Sequence, residues 1–112
     1  MSKKRLKTLR ILAFHAQHGR CFYCAFPMWL SSPDELGLRQ RSVRPYQCTA
    51  EHLIAQQDGG KGVAAHAACN HCRHKRSVPV PSATDYRTLV HRQLAKGKWW
   101  PKWVHRLSIG AP

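Results

Sequence analysis

The pair Cys21-x-x-Cys24 limits what this chain can fold into more than any other feature. Two thiolates on one tight turn form half of a tetrahedral zinc site, and the other half must arrive from elsewhere in the chain. The run His66-Ala67-Ala68-Cys69-Asn70-His71-Cys72 offers it in two registers, His66 with Cys69 or Cys69 with Cys72. In either register the residues near 21 and near 69 must meet, and the intervening chain becomes an excursion from a shared ion. A chain of 112 residues is one small domain with a marginal core, so such a staple matters. Cysteine usage agrees: five is an odd number, and the basic Met1–Lys7 is followed only by the short apolar run Leu9–Ala13, unlike a secretion signal. A reduced, cytoplasmic setting is therefore expected, with thiolates holding metal rather than forming disulfides.

Between the half-sites, Cys48 to Ile54 reads as a short strand, and Asp58-Gly59-Gly60 forces a turn over Gln56 to Gly62. From about Ala67 a helix is expected, stopping near Ser77 because Pro79 and Pro81 restrict the residues before them. The expected order is strand, loop, helix. Asn70 and His74 lie four residues apart on one helix face, and Glu51-His52 on the strand can face them across the turn. That set could hold one further metal ion. Glu51 is conspicuous in a chain with nineteen Lys and Arg against five Asp and Glu. By contrast Asp34, Glu35, Asp58 and Asp85 read as turn or cap residues.

These residues resemble the HNH endonuclease family. Its ββα-metal (His-Me finger) motif carries an acid-His pair on the first strand, here Glu51-His52, and an Asn or His on the helix, here Asn70. The phrase Ala64-Ala65-His66-Ala67-Ala68-Cys69-Asn70, followed by Arg73, is similar to the family's His-x-x-Cys-Asn zinc knuckle, with Cys21 and Cys24 as the other half. The likeness spans roughly Arg20 to Arg76. It favours the His66/Cys69 register, which leaves Asn70 for a second ion, accounts for His74, and makes Cys72 a spare thiol or substitute ligand and His71 a surface residue. The chain departs from the pattern at Lys61, where the family has its middle Asn, and in the short loop after Gly59-Gly60.

The remaining segments read plainly. Residues 2–8, SKKRLKT, are expected to fray, and Leu6, Leu9, Leu12, Ala13 and Ala16 recur at helical spacing with Lys7 and Arg10 on the other side. Gly19 ends that helix, and His15 and His18 are expected at the surface. Ala25 to Arg44 is an irregular loop with Met28, Trp29 and Leu30 packed under it, and Arg39, Arg41 and Arg44 are candidate phosphate contacts. Cys48 reads as a small buried apolar residue. After the linker that starts at Pro79, Tyr86, Leu89, Val90 and Leu94 share one face of a helix capped by Ser82 or Thr84 and broken at Gly97. Lys98-Trp99-Trp100-Pro101-Lys102-Trp103 interleaves cations with aromatics, to stack on bases or to dock on the body of the domain.

A net charge of +14 opposes compaction unless a polyanion binds, which makes nucleic acid the expected partner. No window approaches the roughly 18 apolar residues of a membrane helix. The expected fold is α+β, a small ββα-metal core with flanking helices stapled by zinc. Residues 1–78 form the nuclease unit, and 79–112 a linker, helix and basic Trp-rich tail on the same domain. The resemblance implies a metal-dependent endonuclease acting on DNA. His52 would be its general base, and Glu51, Asn70 and His74 would hold magnesium or manganese, with nickel or zinc as alternatives. Arg73, Lys75, Arg76, Lys98 and Lys102 would contact the phosphate backbone. A homodimer or a partner protein would supply selectivity that so small a surface lacks. The alternative is a zinc-stabilised module that binds nucleic acid without cutting it.

Overall fold

The computed structural model describes residues 3–38, 43–52, 62–75 and 79–107, with side chains at all of these except 3, 4, 51, 52 and 105–107. Six elements organise them: helix α1 (Lys3–Ala16), strands β1 (Cys48–His52) and β2 (Gly62–His66), and helices α2 (Ala67–Lys75), α3 (Ala83–Ala95) and α4 (Lys102–Leu107). The architecture is α+β, a two-stranded antiparallel sheet among helices.

Helix α1 already begins at Lys3, so the basic lead expected to fray is helical. Its inward face is also rotated from the expected one. Leu12 is 63 % exposed, whereas Ala13 is buried and Arg10 turns inward, its Nη1 donating to the carbonyls of Leu30 (3.2 Å) and Cys48 (3.3 Å). The guanidinium serves two carbonyls, of Leu30 and of Cys48 at the start of β1. Past the helix end, left-handed His18 (φ 56°) and Gly19 (φ 73°) turn the chain, and Gly19 N–H bonds to Phe14 O at 2.8 Å. Gln17 then fastens this corner to β2: its Nε2 donates to Ala64 O (2.9 Å) and its Oε1 accepts from Ala64 N (2.8 Å). One side-chain amide thus pairs with β2 as a neighbouring strand would.

The ladder pairs Cys48 with His66, Ala50 with Ala64, and His52 with Gly62. The segment 62–66, expected as the run from turn into helix, is therefore a second strand, and the order is strand, strand, helix. Alanine has no preference for strands, and nothing local in Val63-Ala64-Ala65 marks one. Pairing with β1 and complete burial of Ala64 and Ala65 decide it. Small residues are needed here because α1 and the knuckle turn crowd the hairpin. A Cβ on Gly62 would lie 2.7 Å from Leu9 Cδ2 and 3.2 Å from its Cγ. Gly62→Ala is therefore expected to displace the half-buried Leu9 side chain at a net cost below about 1 kcal/mol, because alanine loses less backbone entropy than glycine, measured as a small drop in the urea midpoint at unchanged slope.

Among the described residues between the knuckle and β1 the chain is irregular but well bonded. Glu35 closes a capping box on the short 3-10 turn Pro33–Leu36, accepting from the N–H groups of Leu30 (2.8 Å), Ser31 (2.9 Å) and Ser32 (3.0 Å). Those bonds, Leu30's first, hold its carboxyl below the usual range. Met28 and Trp29 are buried as expected, and Trp29 Nε1 donates to Val43 O at 2.8 Å.

Ser82, not Thr84, caps α3, its Oγ accepting from Asp85 N at 3.1 Å. Tyr86 and Val90 are fully buried, and the Tyr86 ring meets Tyr23 edge to face at 5.0 Å. Gly97 (φ 73°) breaks the helix as expected. The Trp-rich segment docks on the body of the domain and continues into α4, which no sequence signal indicated. Trp100 sits 5.0 Å from the Tyr46 ring and 5.3 Å from His66, and Trp103 lies 5.3 Å from Tyr46. Trp29, Leu38, Tyr46 and Val104 thus form a second small core beside the main one around Tyr23, Met28, Cys48, Ala64 and Tyr86.

Candidate metal centre and the neighbouring strand

The turn after Cys21 brings Ala25 N–H to Cys21 O (2.9 Å), with Ala25 in the left-handed region (φ 64°), and Cys21 N–H to Phe26 O (3.0 Å). This double reversal points both knuckle sulfurs inward. Tyr23 N–H and His66 N–H each approach Cys21 Sγ at 3.4 Å, the kind of backbone donation that stabilises a thiolate. His66 ends β2 and Cys69 lies in the first turn of α2, so the strand-to-helix junction delivers the other two ligands. Cys24 Sγ is 3.2 Å and Cys69 Sγ 3.9 Å from His66 Nδ1.

The ligand atoms of Cys21, Cys24, His66 and Cys69 all lie within 4.8 Å of one another, and all four residues are buried. In a tetrahedral zinc site with bonds of about 2.3 Å the sulfurs would stand about 3.8 Å apart, so small side-chain rotations complete the geometry. His66 Nε2 is 2.7 Å from Pro27 O, a contact that keeps a proton on Nε2, so in the neutral, metal-binding ring the Nδ1 lone pair faces the sulfurs. The cluster can hold a metal ion such as zinc, in the His66/Cys69 register.

The four groups of this pocket are strongly coupled electrostatically. Burial opposes ionisation of Cys21, but hydrogen bonds from Cys24, Cys69 and His66 together outweigh it and bring this thiol well below its ordinary value. Burial likewise disfavours charge on His66, yet its bonds to Cys21 and Cys24 and their negative charge raise it to about 10. Cys69 is pushed well up by burial first and then by the same two sulfurs. Ionised Cys21 and protonated His66 thus stabilise each other in the buried pocket, and a metal ion bound there would displace the proton from His66 Nδ1.

Two cysteines stand apart from the cluster. Cys48 is 1 % exposed and burial raises its thiol to about 11, whereas Cys72 is half-buried. At pH 8 only about one Cys48 thiol in a thousand is ionised. In the zinc-loaded protein a thiol reagent at that pH is expected to modify Cys72 alone. Mass spectrometry after digestion checks this, and early modification of Cys48 would contradict the burial.

Asn70, in α2, joins its helix to the hairpin. Its Nδ2 donates to Ala50 O (3.1 Å) and Thr49 Oγ1 (3.3 Å), and Thr49 Oγ1 in turn donates to Ala65 O (2.8 Å). Glu51 and His52 follow directly, opposite Val63 and Gly62 in the ladder. Their side chains lie outside the described residues, as do Arg39, Arg41, Arg76 and residues 53–61, Lys61 among them. His71 and His74 are exposed on α2.

Arg73, expected among the phosphate contacts, is turned inward. It is 8 % exposed, its Nε donates to Pro81 O (2.9 Å), and its Nη1 donates to Tyr23 Oη (3.2 Å). It ties α2 to the lead into α3 and to the aromatic residue between the knuckle cysteines. Arginine defaults to solvent in any sequence reading, and only the approach of Pro81 and Tyr23 reverses that. Lys75, Lys98 and Lys102 are exposed, as a phosphate contact requires. Comparison of the chain with protein-family models, with curated proteins and with solved structures finds no match.

Proposed function

We propose that this protein is a metal-dependent endonuclease that hydrolyses phosphodiester bonds in DNA. The observation that carries the reading is the Asn70 clamp: a helix residue bonded to β1 at Thr49 and Ala50, immediately before Glu51-His52 in the ladder. It brings α2 to the strand that carries the acid-His pair. The Cys21, Cys24, His66 and Cys69 cluster secures the other end of the same hairpin, where Cys48 pairs with His66. A structural zinc there and a separate reactive ion at the far end is the arrangement the HNH resemblance implies.

Hydrolysis requires a water molecule stripped of a proton and neutralisation of the charge that builds on the phosphate. His52 takes the proton, since an imidazole titrates near working pH. Glu51 and Asn70, with His74, would hold the divalent ion, and their mixed oxygen and nitrogen donors suit magnesium or manganese and admit nickel or zinc. Asn70 fits this role: with Nδ2 committed to β1, Oδ1, the atom that can ligate a cation, is on the other branch of the amide. That ion, when bound, supplies Lewis-acid stabilisation of the phosphate and the leaving oxygen. Lys75 and Arg76, just beyond the clamp, supply cations for the flanking phosphates.

A second reading, a zinc-stabilised nucleic-acid-binding module without catalysis, draws on two features. Asn70 already has a structural duty in joining α2 to β1, and Lys61 stands where the family pattern has Asn. Nicking of supercoiled plasmid by the purified, zinc-loaded protein in magnesium, manganese or nickel separates the two. The endonuclease cuts only with added ion, and the binding module retains DNA but cuts under none of them.

A further inference from the structure

Helix α3 buries Ala83, Tyr86 and Val90 and leaves a long stripe uncovered. Thr84, Arg87, Thr88, His91, Arg92 and Ala95, all exposed, recur at intervals of three and four along one face of the helix. The stripe holds two arginines and a histidine and no acid. The helix's one carboxylate, Asp85, stands beside the stripe in the first turn, where Ser82 caps the helix. Arg87 is held in place, its guanidinium 4.8 Å over the ring of Phe22 in the knuckle. The buried Tyr86–Tyr23 contact fixes the helix against the same knuckle, so the stripe has one orientation relative to the metal centre.

We propose that this outward face of α3 docks along a groove of duplex DNA, with Arg87 and Arg92 on phosphates and His91 between them. The proposal deepens the endonuclease reading and rests on its choice of nucleic acid as partner. Three considerations support it. A helix at 1.5 Å per residue carries this stripe over about 16 Å, close to five base pairs, and an α-helix with its side chains fits the major groove. Thr84, Thr88 and Ala95 are short enough to let the backbone approach. In a chain of net charge +14, a face with two arginines, one of them held over Phe22, and a single carboxylate at its edge is complementary to a polyanion. The stripe would give the domain a second contact with DNA, outside the metal centre and the strand beside it.

The test is binding of a fluorescent 20-base-pair duplex across a salt series, without added divalent ion so that binding is read apart from cutting. Arg87→Gln/Arg92→Gln is compared with Leu12→Glu/His15→Glu, which changes the formal charge equally on the exposed side of α1. Removing two phosphate contacts is expected to lower the salt slope by about 1.8 and the affinity at 0.1 M salt by about 60-fold, whereas the α1 variant loses only a few-fold. Arg92→Gln alone, which spares the Arg87–Phe22 contact, should lower the slope by about 0.9. Equal losses in the α1 and α3 variants would reduce the effect to net charge and overturn the proposal. A loss seen with single-stranded DNA or duplex RNA but not with duplex DNA would overturn it too. If the α3 variants bind normally while wild type nicks plasmid, the docking face is wrong and the endonuclease reading stands.

Discussion

Replacing Cys21 by serine is expected to abolish the cooperative unfolding transition of this domain. Cys21 is 3 % exposed, and its sulfur accepts two backbone N–H groups while facing three other ligand atoms within 4.8 Å. A hydroxyl there is a poor zinc ligand and leaves those donors badly served in a dry pocket. Structural zinc contributes on the order of 10–16 kcal/mol in isolated zinc modules, whereas a whole domain is stable by only about 5–15 kcal/mol. Self-repulsion at +14 leaves little reserve. The expected record is a circular-dichroism melt without a sigmoid and a zinc content well below one per chain. A chelator strong enough to strip the wild type should reproduce both. Cys72→Ser is the control, because Cys72 is half-buried and lies outside the cluster. A Cys21→Ser protein that keeps stoichiometric zinc and melts within a few degrees of wild type would sink the assignment of these four residues.

His52→Ala should leave the fold intact and lower the nicking rate by about 100- to 10,000-fold, the range a general base contributes. The retained fold follows from the ladder. His52 pairs with Gly62 at one end, and the candidate metal ligand His66 pairs with Cys48 at the other, about 13 Å away at strand rise. Zinc content and melting temperature of the variant should therefore match wild type. Loss of cutting at equal zinc content assigns the defect to chemistry. If wild type also fails to cut with any added ion while still binding DNA, the non-catalytic reading takes over. A variant that cuts as fast as wild type would remove His52 from the mechanism.

Much of the site was legible because metal ligation is a chemistry of residue types at short spacing. Cys21 and Cys24 stand three apart, as do His66 and Cys69, and each pair closes within one turn of chain whatever the rest of the fold does. The stops at Gly19 and Gly97 were legible for a similar reason: both lie at positive φ, where other residues are strained. The apolar face of α3 followed from local pattern too, which narrowed its cap to Ser82 or Thr84 and left the structure to choose Ser82. Less legible were the residues whose role depends on a distant partner. Arg10 was read on the solvent side of α1 and Leu12 on its core side, and both were reversed by two carbonyls, of Leu30 and Cys48, that periodicity does not reveal.

What the sequence determined by itself was therefore the local chemistry: which groups can ligate a metal and where helices must stop. The tertiary structure decided the remainder. It chose His66 over Cys72 as the fourth ligand, because Pro27 O lies 2.7 Å from Nε2 and orients the ring toward the sulfurs. It made a strand of the alanine-rich 62–66, because β1 and Gln17 supply the hydrogen bonds that alanine does not seek for itself. It drew Arg73 inward to Tyr23 and Pro81, and set Trp100 against His66 where a free tail would have offered its rings to bases. Each of these outcomes turns on atoms far apart in sequence coming within hydrogen-bond or ring-contact distance, and no local propensity encodes such a meeting.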